Sequence, residues 1–206
     1  MSTGLIYSLS ALCGYLIGSI PFGLILTRLA GYGDIRKIGS GNIGATNVLR
    51  TGNKTLALIT VLCDASKAGI AALIAYYATG GNNSATAVSA SLIAGAFGVL
   101  GHNFPVWLKF KGGKGVASTF GFILATCWPI ALIALAIWLT MAFTFKYSSL
   151  SALTAAALVP FVSYFLAPSA EYTWVYTAIV LLVIVRHHAN IKRLLKGEES
   201  KIKLKK

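Results

Sequence analysis

The sequence predicts an all-α integral membrane protein of about seven transmembrane helices, with the N-terminus outside and the C-terminus cytoplasmic. Three observations predict it. Hydrophobic residues make up 56% of the 206 and charged residues only 11%, whereas a soluble domain carries about 25% charged residues. The apolar residues form continuous runs near the roughly 20 needed to cross hydrocarbon, without the alternation of a membrane barrel. The basic residues, which leave a net charge of +13, collect in alternate loops.

The elements follow in order. Leu5 to Leu29 reads as the first span, with Gly14 and Gly18 spaced for a close helix contact and Pro21 placed to bend it. Leu56 to Ala78 is the second span and contains Asp64 and Lys67. Ala87 to Gly101, rich in small residues, is the third. Gly115 to Thr126 is short for a span and reads as a tilted or partial helix. Trp128 to Phe145, Ser148 to Leu166 and Tyr172 to Val185 complete the set. Residues 1–195 are expected to form one polytopic domain and 196–206 a basic cytoplasmic tail, with Ser200 to Lys206 mobile and loosely held to anionic lipid. Arg28 is the first basic residue, so the N-terminus lacks the charged start of a signal peptide. Cys13, Cys63 and Cys127 lie in apolar segments and read as small buried hydrophobes.

Seven spans with the N-terminus outside place every basic residue except Lys67 in an inside loop or tail, and leave only Glu171 outside. Dropping the short fourth span would move Lys146 and the tail to the opposite face, so the positive-inside rule favours seven. Topology thus accounts for most of the charge, and no nucleic-acid partner is expected.

Three polar stretches then share the inner face. The first, Ile38 to Arg50, holds Gly39, Gly41 and Gly44 among Ser40, Asn42, Thr46 and Asn47, and ends on Arg50. Such a run can turn successive N–H groups toward an anion, and arginine adds a fork suited to phosphate. The second runs from His102 to Gly115, with Lys109, Lys111, Gly112, Gly113, Lys114 and Gly115 offering ammonium groups and flexible backbone at a helix start. It does not fit the Walker A pattern, so ATP is not implied. In the third, Arg186 to Arg193, a continued last helix would bring Arg186, Asn190 and Arg193 to one side, with His187 beside Asn190. Asp64 and Lys67, three residues apart inside a span, are expected to pair and to pin the first loop. Only two aspartates and three glutamates occur, with no cluster to hold Mg²⁺, so neither a metal nor another cofactor is expected. No His-x-x-x-x-Asp spacing exists, which excludes an acyltransferase built on a His–Asp base of that kind. What remains is a site that binds anions and positions them.

At these segments the chain closely resembles the bacterial acyl-phosphate:glycerol-3-phosphate acyltransferases, the PlsY family. The resemblance is carried by Gly-Ser-Ile-Pro-Phe-Gly (18–23), by residues 39–50, by residues 101–117 and by residues 186–199. It implies a seven-span enzyme of the bacterial inner membrane, active at the cytoplasmic face. Such an enzyme transfers a fatty acyl group from acyl-phosphate to glycerol 3-phosphate, giving 1-acylglycerol 3-phosphate at the entry to phospholipid synthesis. Its partners would be the two substrates, membrane lipid and the enzyme that produces acyl-phosphate. Carried onto matching positions, Ser40 and Arg50 are the essential residues of the first motif, and Lys111 to Gly115 is the phosphate loop. His187 and Asn190 serve activity, and Glu198 or Glu199 supports the structure.

Ser40 and His187 are therefore the expected catalytic residues. Arg50, His187 and Asn190 are expected to hold glycerol 3-phosphate, with Ser40, Gly41, Asn42, Lys109 and Lys111 to Gly115 on phosphate. The general base is His187 or a substrate phosphate oxygen. The rival reading, a carrier or flippase for phosphorylated metabolites, would place basic groups near mid-membrane and usually show repeats.

Overall fold

The structure, a computed structural model, describes residues 1–202; the last tail residues, 203–206, lie outside the described residues. Every regular element among the described residues is helical. In hydrocarbon the backbone must satisfy its own hydrogen bonds, and long apolar runs do so as helices.

The helices are α1 (Thr3–Gly18), α2 (Phe22–Leu29), α3 (Ala45–Val48), α4 (Lys54–Ala78), α5 (Ala85–Asn103) and α6 (Val116–Thr126). They continue with α7 (Trp128–Phe145), α8 (Ser148–Leu166), α9 (Ala170–Arg186) and α10 (His188–Leu195). Their starts are marked by side chains: Asn53 Oδ1 accepts from Leu56 N at 2.9 Å and Ser84 Oγ from Ala87 N at 3.2 Å. Pro21, which has no N–H, separates α1 from α2 within one apolar stretch of 27 residues.

Five stretches are long and apolar enough to cross a membrane: Thr3–Leu29, Lys54–Ala78, Ala85–Leu108, Trp128–Phe145 and Ser148–Leu166. A sixth is reached when α9 and α10, bent by 58°, are taken together. Between the Ala85–Leu108 and Trp128–Phe145 stretches lies the short α6, whose 11 residues rise only about 16 Å. The chain packs as two compact units, Met1–Thr126 and Cys127–Lys206.

In the first unit α1 packs on α5, and α4 lies against both α5 and α6. Small residues set these distances. A Cβ on Gly14 or Gly18 would fall on the carbonyls of Ala94 or Gly98, and one on Gly121 would meet Ala65 O. The predicted G-x-x-x-G contact is therefore real, and its partner is α5. α4 and α5 run antiparallel, with Asp64 opposite His102 and Ala68 opposite Gly98. The segments before α4 and after α5 therefore emerge at one end.

In the second unit α8 packs on α7 and α9 around the wholly buried Tyr176. The expectation of one continuous last helix fails at His187. Its imidazole Nδ1 lies 2.7 Å from Val183 O, the carbonyl its own amide would take in a helix, and that amide bonds Ile184 O instead at 2.9 Å. The side chain displaces the backbone donor, and the chain turns into α10. The described part of the tail, up to Ile202, makes contacts of its own. Ile202 N donates to Lys146 O at 2.6 Å, and Lys201 lies over the Tyr147 ring at 5.6 Å.

Candidate active site

Asn47 organises the first polar loop. Only 1% exposed, its Nδ2 donates to the carbonyls of Ile35, Ile38 and Asn42, each at 2.9 Å. Its Oδ1 accepts from Ser40 N at 3.0 Å, Ser40 Oγ at 3.3 Å and Arg50 Nη1 at 3.2 Å. The two residues singled out in this loop, Ser40 and Arg50, are thus brought together on one amide oxygen, and both remain exposed. Gly39, at φ 57°, makes this possible. A Cβ there would strike Arg50 Nη1 and would lie 2.6 Å from Arg50 Cδ and Asn47 Oδ1.

The loop is less of an anion nest than its composition suggests. Ser40 N is committed to Asn47, Gly41 N to Ile38 O at 3.1 Å and Gly44 N to Asn42 Oδ1 at 3.3 Å. Gly44 does not use its freedom; at φ −81° it caps α3. Asp34 takes up two further cations, Arg28 at 3.4 Å and Arg36. The hydrogen bond from Arg36 is the main reason its carboxyl sits far below the usual range.

The second loop folds back on the end of α5. Gly113 N donates to His102 O at 3.0 Å and Gly112 N to Asn103 O at 3.2 Å. These two amides donate to carbonyls at the end of α5 and so hold the loop in shape. The ammonium groups of Lys109 and Lys111, both exposed, and Lys114 at the start of α6 carry the loop's charge. Lys109 and Phe110 stand at φ 53° and 62°, a left-handed pair that non-glycine residues adopt at a cost of order 1 kcal/mol each. Ile38 of the first loop and Leu108 of the second pack on one apolar cluster of Leu24, Ile35, Ile43, Val48, Leu56 and Ala57. Both loops therefore lie on the same end of the first unit.

Beneath the second loop is a buried charge cluster. Lys67 Nζ lies 3.1 Å from Asp64 Oδ1 and donates to Ile20 O, at the break between α1 and α2, at 3.0 Å. His102 Nδ1 is 3.5 Å from the same Asp64 oxygen. The expected Asp64–Lys67 pair is present. It braces the helix break and the second loop, however, where pinning of the first loop was expected. A His–Asp pair that no short linear spacing marks is also present, assembled between α4 and α5. The sequence carried one indication of it: a buried aspartate in a span needs partners.

In the second unit His187 is 2% exposed. A carbonyl can only accept, so its contact with Val183 O places the proton of the neutral ring on Nδ1 and the lone pair on Nε2. Asn190 Nδ2 donates to Glu199 Oε1 at 2.7 Å, while its Oδ1 is buried with no hydrogen-bond partner among the described residues. Glu199 also accepts from Ser149 Oγ at 2.7 Å and Arg193 Nε at 2.6 Å. Of the two glutamates the resemblance left open, Glu199 is the one that ties the segment together; Glu198 is exposed. Burial pushes the Glu199 carboxyl up, but the bonds from Arg193, Ser149 and Asn190 outweigh it and hold the group below its ordinary range.

Apolar helices that keep glycines and cations in surface loops, with a serine and an arginine on one anchor, define a membrane protein equipped to meet anions at its surface. Comparison with known proteins narrows the class. The sequence profile of the family described as glycerol-3-phosphate acyltransferase matches residues 8–197. Curated relatives of that name include one from Rhodospirillum rubrum, 57% identical over 203 residues that span 98% of this chain and 94% of the relative. Another, from Mesorhizobium japonicum, is 57% identical over 202 residues, 98% of each chain. Among solved structures, PlsY, an integral membrane glycerol 3-phosphate acyltransferase, matches in its glycerol 3-phosphate form with TM-score 0.85 and 35% identity, over 96% of both chains. Its lysophosphatidic acid form matches with TM-score 0.83 and 34% identity, over 95% of this chain and 94% of that one. The chain belongs to the PlsY family of glycerol-3-phosphate acyltransferases, integral membrane enzymes.

Proposed function

We propose that this protein uses acyl-phosphate as donor and makes 1-acylglycerol 3-phosphate and inorganic phosphate at the cytoplasmic face of a bacterial inner membrane. Seven spans, with the N-terminus outside, complete the reading. The observation that carries it is the joining of Ser40 to Arg50 through Asn47, with the lysine-bearing second loop seated on the same apolar cluster. That arrangement suits a reaction in which both substrates bear phosphate.

The chemistry asks little of the protein beyond placement. Acyl-phosphate is a mixed anhydride, so attack by the glycerol 3-phosphate hydroxyl forms a C–O ester bond and breaks the C–O bond to phosphate. Phosphate leaves as an anion, and the hydroxyl proton passes to a base. Lys111, Lys114 and the first turn of α6 hold the donor phosphate and stabilise its departure. Lys109 adds charge, and Ser40, Gly41 and Asn42 lie toward the reacting carbonyl. Arg50, His187 and Asn190 hold glycerol 3-phosphate, and bringing the two phosphates together supplies the proximity term. The base is His187 Nε2 or an oxygen of a substrate phosphate. The ring's tautomer supports the first, and the strong acceptor character of the phosphate supports the second.

Purified protein in detergent is expected to form lysophosphatidate from acyl-phosphate and glycerol 3-phosphate, and none from acyl-CoA or acyl carrier protein. Formation of product from either alternative donor alone would overturn the donor assignment. With the base in question, His187→Gln decides. A fall in kcat of about 10²-fold or more with KM little changed assigns the base to the imidazole, and a mainly KM effect assigns it to phosphate.

A further inference from the structure

We propose that His102, held by Asp64, is a positioning residue for the donor: it fixes the shape of the Lys111–Gly115 loop from beneath. The inference rests on the reading that this loop binds the donor phosphate. It adds a residue to that site and a reason for its geometry.

Three contacts converge on His102. Its carbonyl takes the Gly113 amide at 3.0 Å. Its ring fills the space a side chain on residue 113 would need: a Cβ there would collide with Nε2 and stand 2.8 Å from Cδ2 and Cε1. Its Nδ1 faces Asp64 Oδ1 at 3.5 Å, and that carboxylate is in turn fixed by Lys67 at 3.1 Å. The ring thus has one edge on a buried carboxylate and the other against the middle of the loop. His102 is 4% exposed, Asp64 2% and Lys67 3%, so none of them meets substrate.

Three ionisable side chains buried in one bundle are expensive to keep unless they are paired and serve a purpose. Lys67 has a structural task, closing the Ile20 carbonyl at the α1–α2 break. A leucine could fill the volume of His102 without calling for a partner on α4. The imidazole differs from leucine in being oriented: its Nδ1 edge faces the Asp64 carboxylate at 3.5 Å, that polar contact favours one rotamer, and the rotamer fixes how near the Gly112–Gly113 backbone lies to α5. The loop holds two left-handed non-glycine residues, Lys109 and Phe110. Such strain persists only where surrounding contacts over-determine it, and the His102 and Asn103 carbonyls with the imidazole beneath are those contacts. Lys111 and Lys114 flank the glycine pair, so the distance between their ammonium groups follows from where that pair is held.

The test is a set of steady-state measurements on the full-length protein, with KM taken separately for acyl-phosphate and glycerol 3-phosphate. His102→Leu keeps the volume and removes the oriented donor. It is expected to raise the acyl-phosphate KM about tenfold or more while the glycerol 3-phosphate KM moves less than about twofold, since small misplacements of a binding group suffice for such losses. His102→Asn keeps a donor where Nδ1 stands and should recover most of that loss, which a merely space-filling role would not predict. Gly113→Ala should raise the same KM, because its methyl meets the ring. His102→Asn with Gly113→Ala should be better than Gly113→Ala alone, because asparagine lacks the two ring atoms nearest the methyl.

Equal changes in both KM values, or a double variant no better than Gly113→Ala, would overturn the proposal. Should His102→Leu fail to fold, the Gly113→Ala pair still decides it. Lys114→Ala separates the two levels. If it leaves the acyl-phosphate KM unchanged, the donor-site reading itself fails; if it raises that KM while the His102 variants do not, only the positioning role fails.

Discussion

Asn47 and Glu199 show how single buried polar groups hold functional loops in this protein. Asn47 spans six hydrogen-bonding contacts with three carbonyls and with Ser40 and Arg50. Asn47→Ala should therefore release the loop and separate Ser40 from Arg50, lowering kcat/KM about 10²-fold, with a stability loss of order 2 kcal/mol from the stranded carbonyls. A thermal melt and an acyltransfer assay check both. An alanine variant with near-normal activity would show that Ser40 and Arg50 do not need a common anchor. Nothing in the residue's identity announced this role, because an asparagine in a glycine-rich run reads as one more turn residue. Glu199 gives a prediction in pH. Its carboxyl is held below the ordinary range in the folded protein, so the stability it contributes is present above the unfolded value near 4.5. That stability is lost as pH falls through the lower folded value. The melting temperature of the native protein should exceed that of Glu199→Gln at neutral pH, and the gap should close on acidification. A gap that stays constant down to pH 3 would mean that the carboxylate's charge is not what secures the segment.

Helices were the most legible level, for a physical reason: in hydrocarbon, length and continuity of apolar sequence decide the element. The boundaries of α7 and α8 coincide with the expected runs, and the short α6 lies where an undersized apolar segment was read. The α9–α10 break was not legible, because no proline or glycine marks it. It is made by an imidazole–carbonyl bond within one turn, and a side-chain rotamer leaves no trace in periodicity. The G-x-x-x-G pair could be read as an interface, but its partner could not. The structure supplies it in the Ala94 and Gly98 carbonyls of α5. Gly18→Ala should therefore push α1 from α5 and lower the melting temperature by several degrees, the size expected for about 1–3 kcal/mol of overpacking. Gly4→Ala, on the same helix with nothing within 4 Å of the added methyl, should leave it unchanged or slightly raised. Equal effects at the two positions would remove the case for close α1–α5 packing.

At the scale of the molecule, the charge pattern and the helix pairing make the same demand by independent routes. Alternation of basic loops places Arg36 and Lys37 on the same membrane face as Lys109 and Lys111. The antiparallel pairing of α4 with α5, and the cluster shared by Ile38 and Leu108, bring the same two loops to one end of the first unit. The 25 residues of α4 rise about 37 Å, enough to cross the bilayer, so the turn at 79–84 belongs to the other face. Single cysteines at Lys37, Trp107 and Ala85, all exposed, can be placed in a background in which Cys13, Cys63 and Cys127 are replaced by serine or alanine. A membrane-impermeant maleimide should then label Lys37→Cys and Trp107→Cys together in inside-out vesicles, and Ala85→Cys alone in intact cells. The reverse pattern would invert the orientation and move the site to the outer face. Labelling of Lys37→Cys and Trp107→Cys from opposite sides would break the pairing itself, since no arrangement of α4 and α5 with Asp64 against His102 permits it.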